Sequence, residues 1–216
     1  MGAVWQWQKE QAEELEQAVR AHLAAGRLVA LPTETFYALA ADPFSEAALA
    51  RLYAIKGRTP DKPVLLLVSG PEMISSVAPN IPPAARDLMA RFWPGPLTLI
   101  FPARPNLPRG LTGGAGGGVG LRQPRQEVTC RLIAALGFPV TGTSANRTGE
   151  PAFIRADEVA REFGDEVALI LDVGPCPGGL PSTIVDVTSQ PPRLVRAGAV
   201  AVSEIRTIIP DLAAGR

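Results

Sequence analysis

Short apolar runs along this chain alternate with stretches in which apolar residues recur every three or four positions. The short runs predict strands at 28–31, 64–68, 97–101, 119–121, 139–142, 168–173, 184–187 and 193–196. The helical spacing predicts helices within 8–25, 45–56, 71–93, 127–136 and 156–163, with a short one near the C-terminus. Because strands and helices alternate, the pattern favours the α/β class, with a mixed sheet flanked by helices.

Local signals predict where several of these elements begin and end. Ser45 can cap the second helix, and Gly57 can end it in the left-handed conformation. Ser203 is expected to cap the final helix. The strands before and after the second helix, 28–31 and 64–68, are expected to form a βαβ-like unit with it.

Candidate chemistry gathers at the two ends of that unit. The polar turn 33–35 follows strand 28–31, at the sheet end where α/β proteins bind ligands. Lys56 ends the second helix, and Arg58 and Lys62 come just after it. The chain holds only three lysines among its 21 Lys and Arg residues, so two of the three lie in this short segment. Such a cluster suits phosphate, with lysine as a point charge and arginine as a bidentate fork. The same cations could equally complement the dipole at the helix C-terminus.

Composition limits the remaining possibilities. A chain of 216 residues with 46% hydrophobic content can bury a core without disulfides, so the separated Cys130 and Cys176 are expected to be thiols. His22 is the single histidine, which excludes a two-histidine metal site, and it is expected to pack on a helix. No basic leader or membrane-length apolar run occurs, so we expect a cytoplasmic protein without membrane contact.

The net charge is zero, but the charge is unevenly distributed. Residues 86–131 hold seven arginines and two acids, which indicates a basic face or cavity. Scattered solvated arginines would explain part of this excess.

Two further segments could bind anions. Segment 113–118 is rich in glycine and could form either a lid over a nucleotide or a hairpin tip. It lacks the spacing of a Walker loop or a dinucleotide fingerprint. Ser144 and Asn146 follow strand 139–142, where their polar groups suit phosphate or ribose oxygens, or an ordinary turn.

Several motifs together resemble one known family, the YrdC family of threonylcarbamoyl-AMP synthases. In chain order they read PTETFYALAADPF, KGRTPDKP, WPGPLTLIFPAR, VGLRQP, FPVTGTSANRTGEP, GGLPSTIVDV and LVRAGAV, and they extend over about residues 15–200. The resemblance implies a single YrdC-like domain over 1–216, with a core over about 10–200. It implies a twisted open mixed β-sheet flanked by helices around a basic cavity. Longer family members carry a second C-terminal domain, so we expect the single-domain form.

The resemblance also implies an activity. Family members combine ATP, L-threonine and bicarbonate into threonylcarbamoyl-adenylate and pyrophosphate, for modification of the adenosine beside the anticodon of certain tRNAs. The implied class is nucleotidyltransferase, with Mg²⁺ carried by ATP and no metal ligands from the protein. Implied partners are tRNA or double-stranded RNA and downstream tRNA threonylcarbamoyltransferase proteins.

Site residues follow from the same resemblance. Lys56 and Arg58 would be catalytic. Residues implied to bind ATP are Lys56, Arg58, Lys62, Ser144, Asn146, Ser182 and Arg196. Residues implied to bind threonine are Thr35, Arg122 and Thr141.

The chain departs from the family pattern at a few positions. Ala38 and Ala40 replace a usual glycine pair, where a Cβ could narrow the pocket or require a backbone with negative φ. Ala197 replaces a proline, and Leu67 replaces a histidine found in some members. Two other functions therefore stay open: an RNA-binding module without synthase activity, and a carbamoyl-transfer domain like that of hydrogenase-maturation proteins.

Overall fold

The structure of the chain is a computed structural model that describes residues 2–59, 61–113 and 117–215. The α-helices in these ranges are α1 (Ala12–Ala24), α2 (Glu46–Lys56), α3 (Pro83–Phe92), α4 (Arg109–Thr112), α5 (Glu127–Leu136), α6 (Ala156–Phe163) and α7 (Val202–Arg206). Short 3-10 turns occupy Lys9–Gln11, Pro71–Ser76 and Gly164–Glu166. The centre of the glycine-rich segment, 114–116, lies outside the described residues, so both hypotheses for that segment stay open.

The strands form two mixed sheets. The first contains β1 (Ala3–Gln6), β9 (Val167–Asp172), β2 (Leu28–Leu31), β3 (Ala38–Ala40) and β8 (Thr143–Ser144), in that order. The second contains β11 (Arg193–Arg196), β10 (Thr183–Asp186), β5 (Leu97–Pro102), β6 (Gly118–Arg122), β4 (Leu66–Leu67) and β7 (Val140–Thr141). The predicted α/β class is confirmed, with the mixed sheet divided into two.

The predicted βαβ-like unit is wrong. Strand β2 lies in the first sheet, where it pairs parallel with β9 and antiparallel with β3. Strand β4 lies in the second sheet, between β6 and β7. The chain turns back after β2 to form β3, whose three residues, Ala-Leu-Ala, gave too short an apolar signal to separate from the neighbouring turn. Strand β3 therefore occupies the edge of β2 to which a parallel β4 would have had to hydrogen-bond.

Strand β2 separates the two hydrophobic cores. Because side chains alternate across a strand, Leu28 and Ala30 face one core and Val29 and Leu31 face the other. The smaller core is closed by α1 and α5, and the larger one contains residues of α2, α3 and α6. All four residues of β2 are buried, which is why the strand reads as a continuous apolar run.

Several predicted element ends are confirmed. The hydroxyl of Ser45 accepts a hydrogen bond from the Ala48 amide at 3.2 Å. Gly57 ends α2 with a φ of 58°. The prediction for Ser203 is wrong, because α7 begins at Val202 and Ser203 lies within the helix. Strand β1 and helix α4 were not predicted, since β1 is mostly exposed and α4 is a single short turn.

A short segment connects the two sheets. Strand β7 belongs to the second sheet and β8 to the first, and only Gly142 lies between them. The Gly142 amide donates to Leu65 O at 2.9 Å. A Cβ at this position would lie 2.5 Å from Leu67 Cγ, and Leu67 is fully buried. Close packing at the junction therefore requires glycine.

We expect Gly142→Ala to lower the free energy of unfolding by about 1–3 kcal/mol, because the added methyl overpacks buried leucines. Urea unfolding measures this loss. Gly120→Ala is a matched control in β6, since its Cβ would meet the nearest atom at 3.4 Å. Equal loss in both variants would contradict a specific packing requirement at the junction.

Candidate active site

One cavity of about 320 Å³ receives side chains from both sheets. The turn after β2, together with β8, forms the part that comes from the first sheet. Strands β5, β6, β10 and β11 supply another part, together with the loop after α2 and the residues just before β10. Lining residues with polar side chains are Thr33, Thr35, Tyr37, Arg58, Thr98, Arg122, Thr143, Ser144, Ser182 and Arg196. The cavity therefore combines three guanidinium groups with several hydroxyl groups.

The three arginines reach the cavity from separate parts of the chain. Arg58 follows α2, Arg122 ends β6, and Arg196 ends β11. Burial lowers the pKa of Arg196, and the positive charges of Arg122 and Arg58 lower it further. Burial also lowers the pKa of Arg58. Like charges held this close favour an anion between them.

Arg122 is the one of these three groups that forms an ion pair within the described residues. Its Nη2 donates to Glu34 Oε1 at 2.7 Å and to Thr35 Oγ1 at 3.1 Å. Both side chains of the Arg122–Glu34 ion pair are largely buried, at 6% and 12% exposure. The buried Nε of Arg122 has no hydrogen-bond partner among the described residues. A buried donor without a partner is costly, so this atom fits a ligand acceptor.

Arg58 and Arg196 have a different environment. Arg58 Nη2 donates to Pro63 O at 2.9 Å, and its buried Nε lacks a partner in the described ranges. Arg196 Nη2 donates to Ser182 O at 2.8 Å and to Ser182 Oγ at 3.2 Å. Within the described part of the chain, neither guanidinium pairs with a carboxylate. Their positive charge is therefore available to a ligand.

Lys56 lies behind the cavity and holds part of it in place. Its Nζ donates to Ser144 O at 2.6 Å, Asn146 O at 2.8 Å and Asn146 Oδ1 at 2.9 Å. These bonds use all three donors of the ammonium group. Burial, with the charge of Arg58, lowers the pKa of Lys56 to about 8. Lys56 is thus placed to fix the loop that presents Ser144.

The other predicted site residues lie at varied distances from the cavity. Ser144 and Ser182 line it directly. Asn146 accepts from Lys56 and from Ser144 Oγ, the latter at 2.6 Å. Thr141 is fully buried, and its hydroxyl joins β7 to β3 by accepting from Ala41 N and donating to Leu39 O. Lys62 is exposed on the loop before β4. The structure thus gathers Thr35, Arg58, Arg122, Ser144, Ser182 and Arg196 at the cavity.

Several residues of the site carried no assigned role in the sequence analysis, among them Glu34 and Thr98. Glu34 contacts Arg122 without lining the cavity, and Thr98 lines it. Glu34 was noted only as part of a polar turn, and Thr98 as part of an apolar strand. The Thr98 and Ser182 hydroxyls lie 2.9 Å apart across β5 and β10. Thr98 is a single polar residue inside an apolar run, and this was the sequence signal that could have indicated a role at the site.

The departures from the family pattern are accommodated. No described residue other than glycine has a positive φ, so Ala38 and Ala40 adopt ordinary backbone conformations. Ala38 lines the cavity, whereas Ala40 packs in the smaller core. Ala197 is exposed and Leu67 is buried.

The arginine-rich segment 86–131 does not form one basic face. Among its seven arginines, Arg122 is the one that lines the cavity in the described structure. Four members of the set are ion-paired with acids, namely Arg91, Arg109, Arg122 and Arg131. Three of the seven arginines are thus in separate surface pairs, and a fourth, Arg122, is paired at the cavity.

Two features are absent from the described residues. None of the helices found there combines the length and apolar character needed to cross a membrane. The same residues contain no group of three or more His, Cys, Asp or Glu arranged to hold a metal ion.

The fold and cavity define an α/β protein with an arginine-lined site for anionic ligands. The chain belongs to the Sua5/YciO/YrdC family, whose model, described as telomere recombination, matches residues 21–198. This confirms the family resemblance found in the sequence motifs.

Relatives and solved structures agree with this family. A Pyrococcus abyssi protein named threonylcarbamoyl-AMP synthase is 38% identical over 187 residues, covering 87% of this chain and 55% of that protein. A Chromohalobacter salexigens protein of the same name is 36% identical over 185 residues, covering 84% of this chain and 96% of that protein. The crystal structure of P. abyssi Sua5 complexed with L-threonine superposes with a TM-score of 0.90 at 34% identity, covering 99% of this chain and 62% of that one. The chain thus spans little more than half the length of the P. abyssi relative.

The lowered pKa of Lys56 predicts a pH-dependent contribution to stability. Between about pH 8 and pH 10.5, the folded protein loses the Lys56 proton while the unfolded chain retains it. The unfolded state then binds more protons, so the free energy of unfolding increases with pH in this interval. We expect wild type to gain about 1–2 kcal/mol over the interval relative to Lys56→Met, measured by urea unfolding at several pH values. Parallel pH curves for the two proteins would contradict a lowered pKa.

Proposed function

We propose that this protein forms threonylcarbamoyl-AMP and pyrophosphate from L-threonine, bicarbonate and ATP, as a nucleotidyltransferase. The proposal rests on the observation that the arginines of the cavity differ in their pairing with acids. One arginine is neutralised by a carboxylate and two are not. This cavity lies in a fold shared with a protein whose crystal structure holds L-threonine.

The region around Arg122 suits the amino acid. Arg122 offers its unpartnered Nε to a carboxylate, and Thr33 and Thr35 place hydroxyl groups beside it. Glu34 supplies a negative charge that favours the ammonium group of a free amino acid. A site with hydroxyl groups discriminates threonine from valine, because valine would leave buried polar groups unpaired.

The region around Arg58 and Arg196 suits the phosphates of ATP. Both guanidinium groups carry charge without an acidic partner in the described structure, and a triphosphate needs several charge-assisted hydrogen bonds. Ser144 and Ser182 add hydroxyl groups to the same cavity. Lys56 contributes a positive charge and, with Asn146, the position of the loop that carries Ser144.

The reaction requires positioning more than acid–base catalysis. The threonine amine and bicarbonate form a carbamate with loss of water. One carbamate oxygen then attacks the α-phosphorus of ATP, the bond from that phosphorus to the bridging oxygen breaks, and pyrophosphate leaves. Fixed cations stabilise the charge that builds up on the leaving pyrophosphate. Holding both anionic substrates in one small cavity supplies much of the remaining rate increase.

We propose that Mg²⁺ enters with ATP and is held by phosphate oxygens and water. The hydroxyl groups of Thr98 and Ser182 on the cavity wall fit such a hydrated ion, because they can accept hydrogen bonds from its water molecules. The adenylate product is unstable toward water, so we propose that downstream tRNA threonylcarbamoyltransferase proteins consume it in the cytoplasm.

The RNA-binding alternative has less support. A dedicated RNA surface requires a continuous basic patch. Three of the seven arginines that suggested such a patch, Arg91, Arg109 and Arg131, are paired with acids at separate places on the surface.

The reaction itself is tested by incubating the protein with labelled ATP, L-threonine and bicarbonate. Pyrophosphate and a threonyl-containing adenylate should form together, and omission of any one substrate should abolish both.

We expect Arg58→Ala and Arg196→Ala each to weaken ATP binding by about 1.5–3 kcal/mol, the range for a hydrogen bond to a charged group. Isothermal titration calorimetry measures the change. Arg91→Ala is a matched control, because Arg91 forms an exposed ion pair with Glu204 on α7. Unchanged ATP affinity in both cavity variants would remove the phosphate role.

We expect Arg122→Lys to raise the threonine dissociation constant strongly, because an ammonium group cannot reproduce the directed donors of a guanidinium. ATP binding measured without threonine should stay close to the wild-type value. The same calorimetric titrations test both statements. Loss of ATP affinity with normal threonine affinity would place Arg122 in the nucleotide site.

A further inference from the structure

Glu34 does not line the cavity itself but forms an ion pair with Arg122, which does, so the cavity arginines differ in the net charge around them. Among the three cavity arginines, Arg122 alone forms an ion pair within the described residues. The pair of Arg122 and Glu34 has no net charge, whereas Arg58 and Arg196 together carry two positive charges. A ligand therefore meets a neutral, polar environment at Arg122 and a cationic one at Arg58 and Arg196.

The position of Glu34 is closely determined. It lies in a turn in which Thr33 Oγ1 accepts from the amides of Thr35 and Phe36 at 3.1 and 3.2 Å. One carboxylate oxygen of Glu34 accepts from Arg122 Nη2 at 2.7 Å, and the other accepts from the backbone amide of Arg125 at 2.9 Å. Both oxygens are thus occupied, and the Nε of Arg122 remains for a ligand.

We propose that Glu34 is a specificity-determining residue that keeps polyphosphate away from Arg122 and so reserves this arginine for the amino acid. This inference rests on the proposed function, because it assumes that threonine and a polyphosphate bind in one cavity. It adds the reason why three neighbouring arginines do not all bind the more highly charged substrate.

The reason is electrostatic. A polyphosphate is attracted by an isolated guanidinium much more than a single carboxylate is, because Coulomb energy scales with the product of the charges. Glu34 cancels most of that attraction at Arg122 and repels a polyanion directly. A free amino acid is a zwitterion, so its ammonium group is attracted by Glu34 while its carboxylate uses Arg122. The ion pair therefore favours one substrate class and disfavours the other.

The variant that isolates this role is Glu34→Gln, which keeps the side-chain shape and a carbonyl oxygen for Arg122 but removes the charge. Calorimetry measures the apparent dissociation constant of L-threonine with and without pyrophosphate. In wild type, pyrophosphate should change this constant by less than about twofold. In Glu34→Gln, pyrophosphate should compete for Arg122 and raise the constant by about tenfold.

Control variants separate charge from structure. Glu34→Asp keeps the charge, so pyrophosphate should not compete even where threonine affinity has fallen. Glu16→Gln removes an acid paired with Arg131 at the surface and should behave like wild type. Glu34→Ser is a second neutral variant, used with Glu34→Gln and checked for folding by circular dichroism. Competition in a folded neutral variant, and its absence in Glu34→Asp, supports the proposal.

Other results overturn the inference without affecting the proposed function. Pyrophosphate that fails to compete in the folded neutral variants, or competes equally in wild type, shows that Glu34 does not exclude polyphosphate. Tighter threonine binding in the neutral variants, without competition, shows that Glu34 only occupies Arg122 until the substrate displaces it. Absence of threonine binding in wild type would instead overturn the proposed function.

Discussion

The placement of four positive charges at or behind one small cavity, two of them buried, is the constraint on which this site depends. A cation that is shielded from water needs acceptors, and the protein supplies them in different ways. Lys56 is held by the oxygens of a loop, Arg196 and Arg58 by backbone carbonyls, and Arg122 by Glu34. Whether the acceptor is a neutral oxygen or a carboxylate determines the net charge that each group presents to a ligand. The fold thus sets the electrostatic potential of the cavity through hydrogen bonding as much as through the number of arginines.

The connection between the two sheets serves the same constraint. Segment 140–146 passes from the second sheet through Gly142 to the first, and then forms the loop that binds the Lys56 ammonium. The buried hydroxyl of Thr141 adds a link to β3. A buried ammonium with three oxygen acceptors gives this loop one preferred position. The cavity wall between the sheets is therefore held by buried polar contacts in addition to apolar packing.

Elements with a strong local signal were predicted accurately. Strand β2 is a continuous apolar run, and α5 and α6 have clear helical periods with glycine at their ends. Strand β1 was missed because its side chains are mostly exposed, and β3 because it has only three residues and lies beside a turn. The prediction of a βαβ-like unit was wrong because strand pairing depends on all the strands that compete for an edge. Strand β3 occupies the edge of β2 that β4 would have needed.

The sequence by itself determined the family, the α/β class and the residue types at the site, because motif order and hydrophobic period are local properties of the chain. It also led to six of the residues that line the cavity, among them Arg122 and Arg196. Only the tertiary structure decided that Lys56 faces a loop and that Glu34 neutralises Arg122. These roles depend on atoms up to about ninety positions apart meeting within hydrogen-bond distance, and such distances follow from packing.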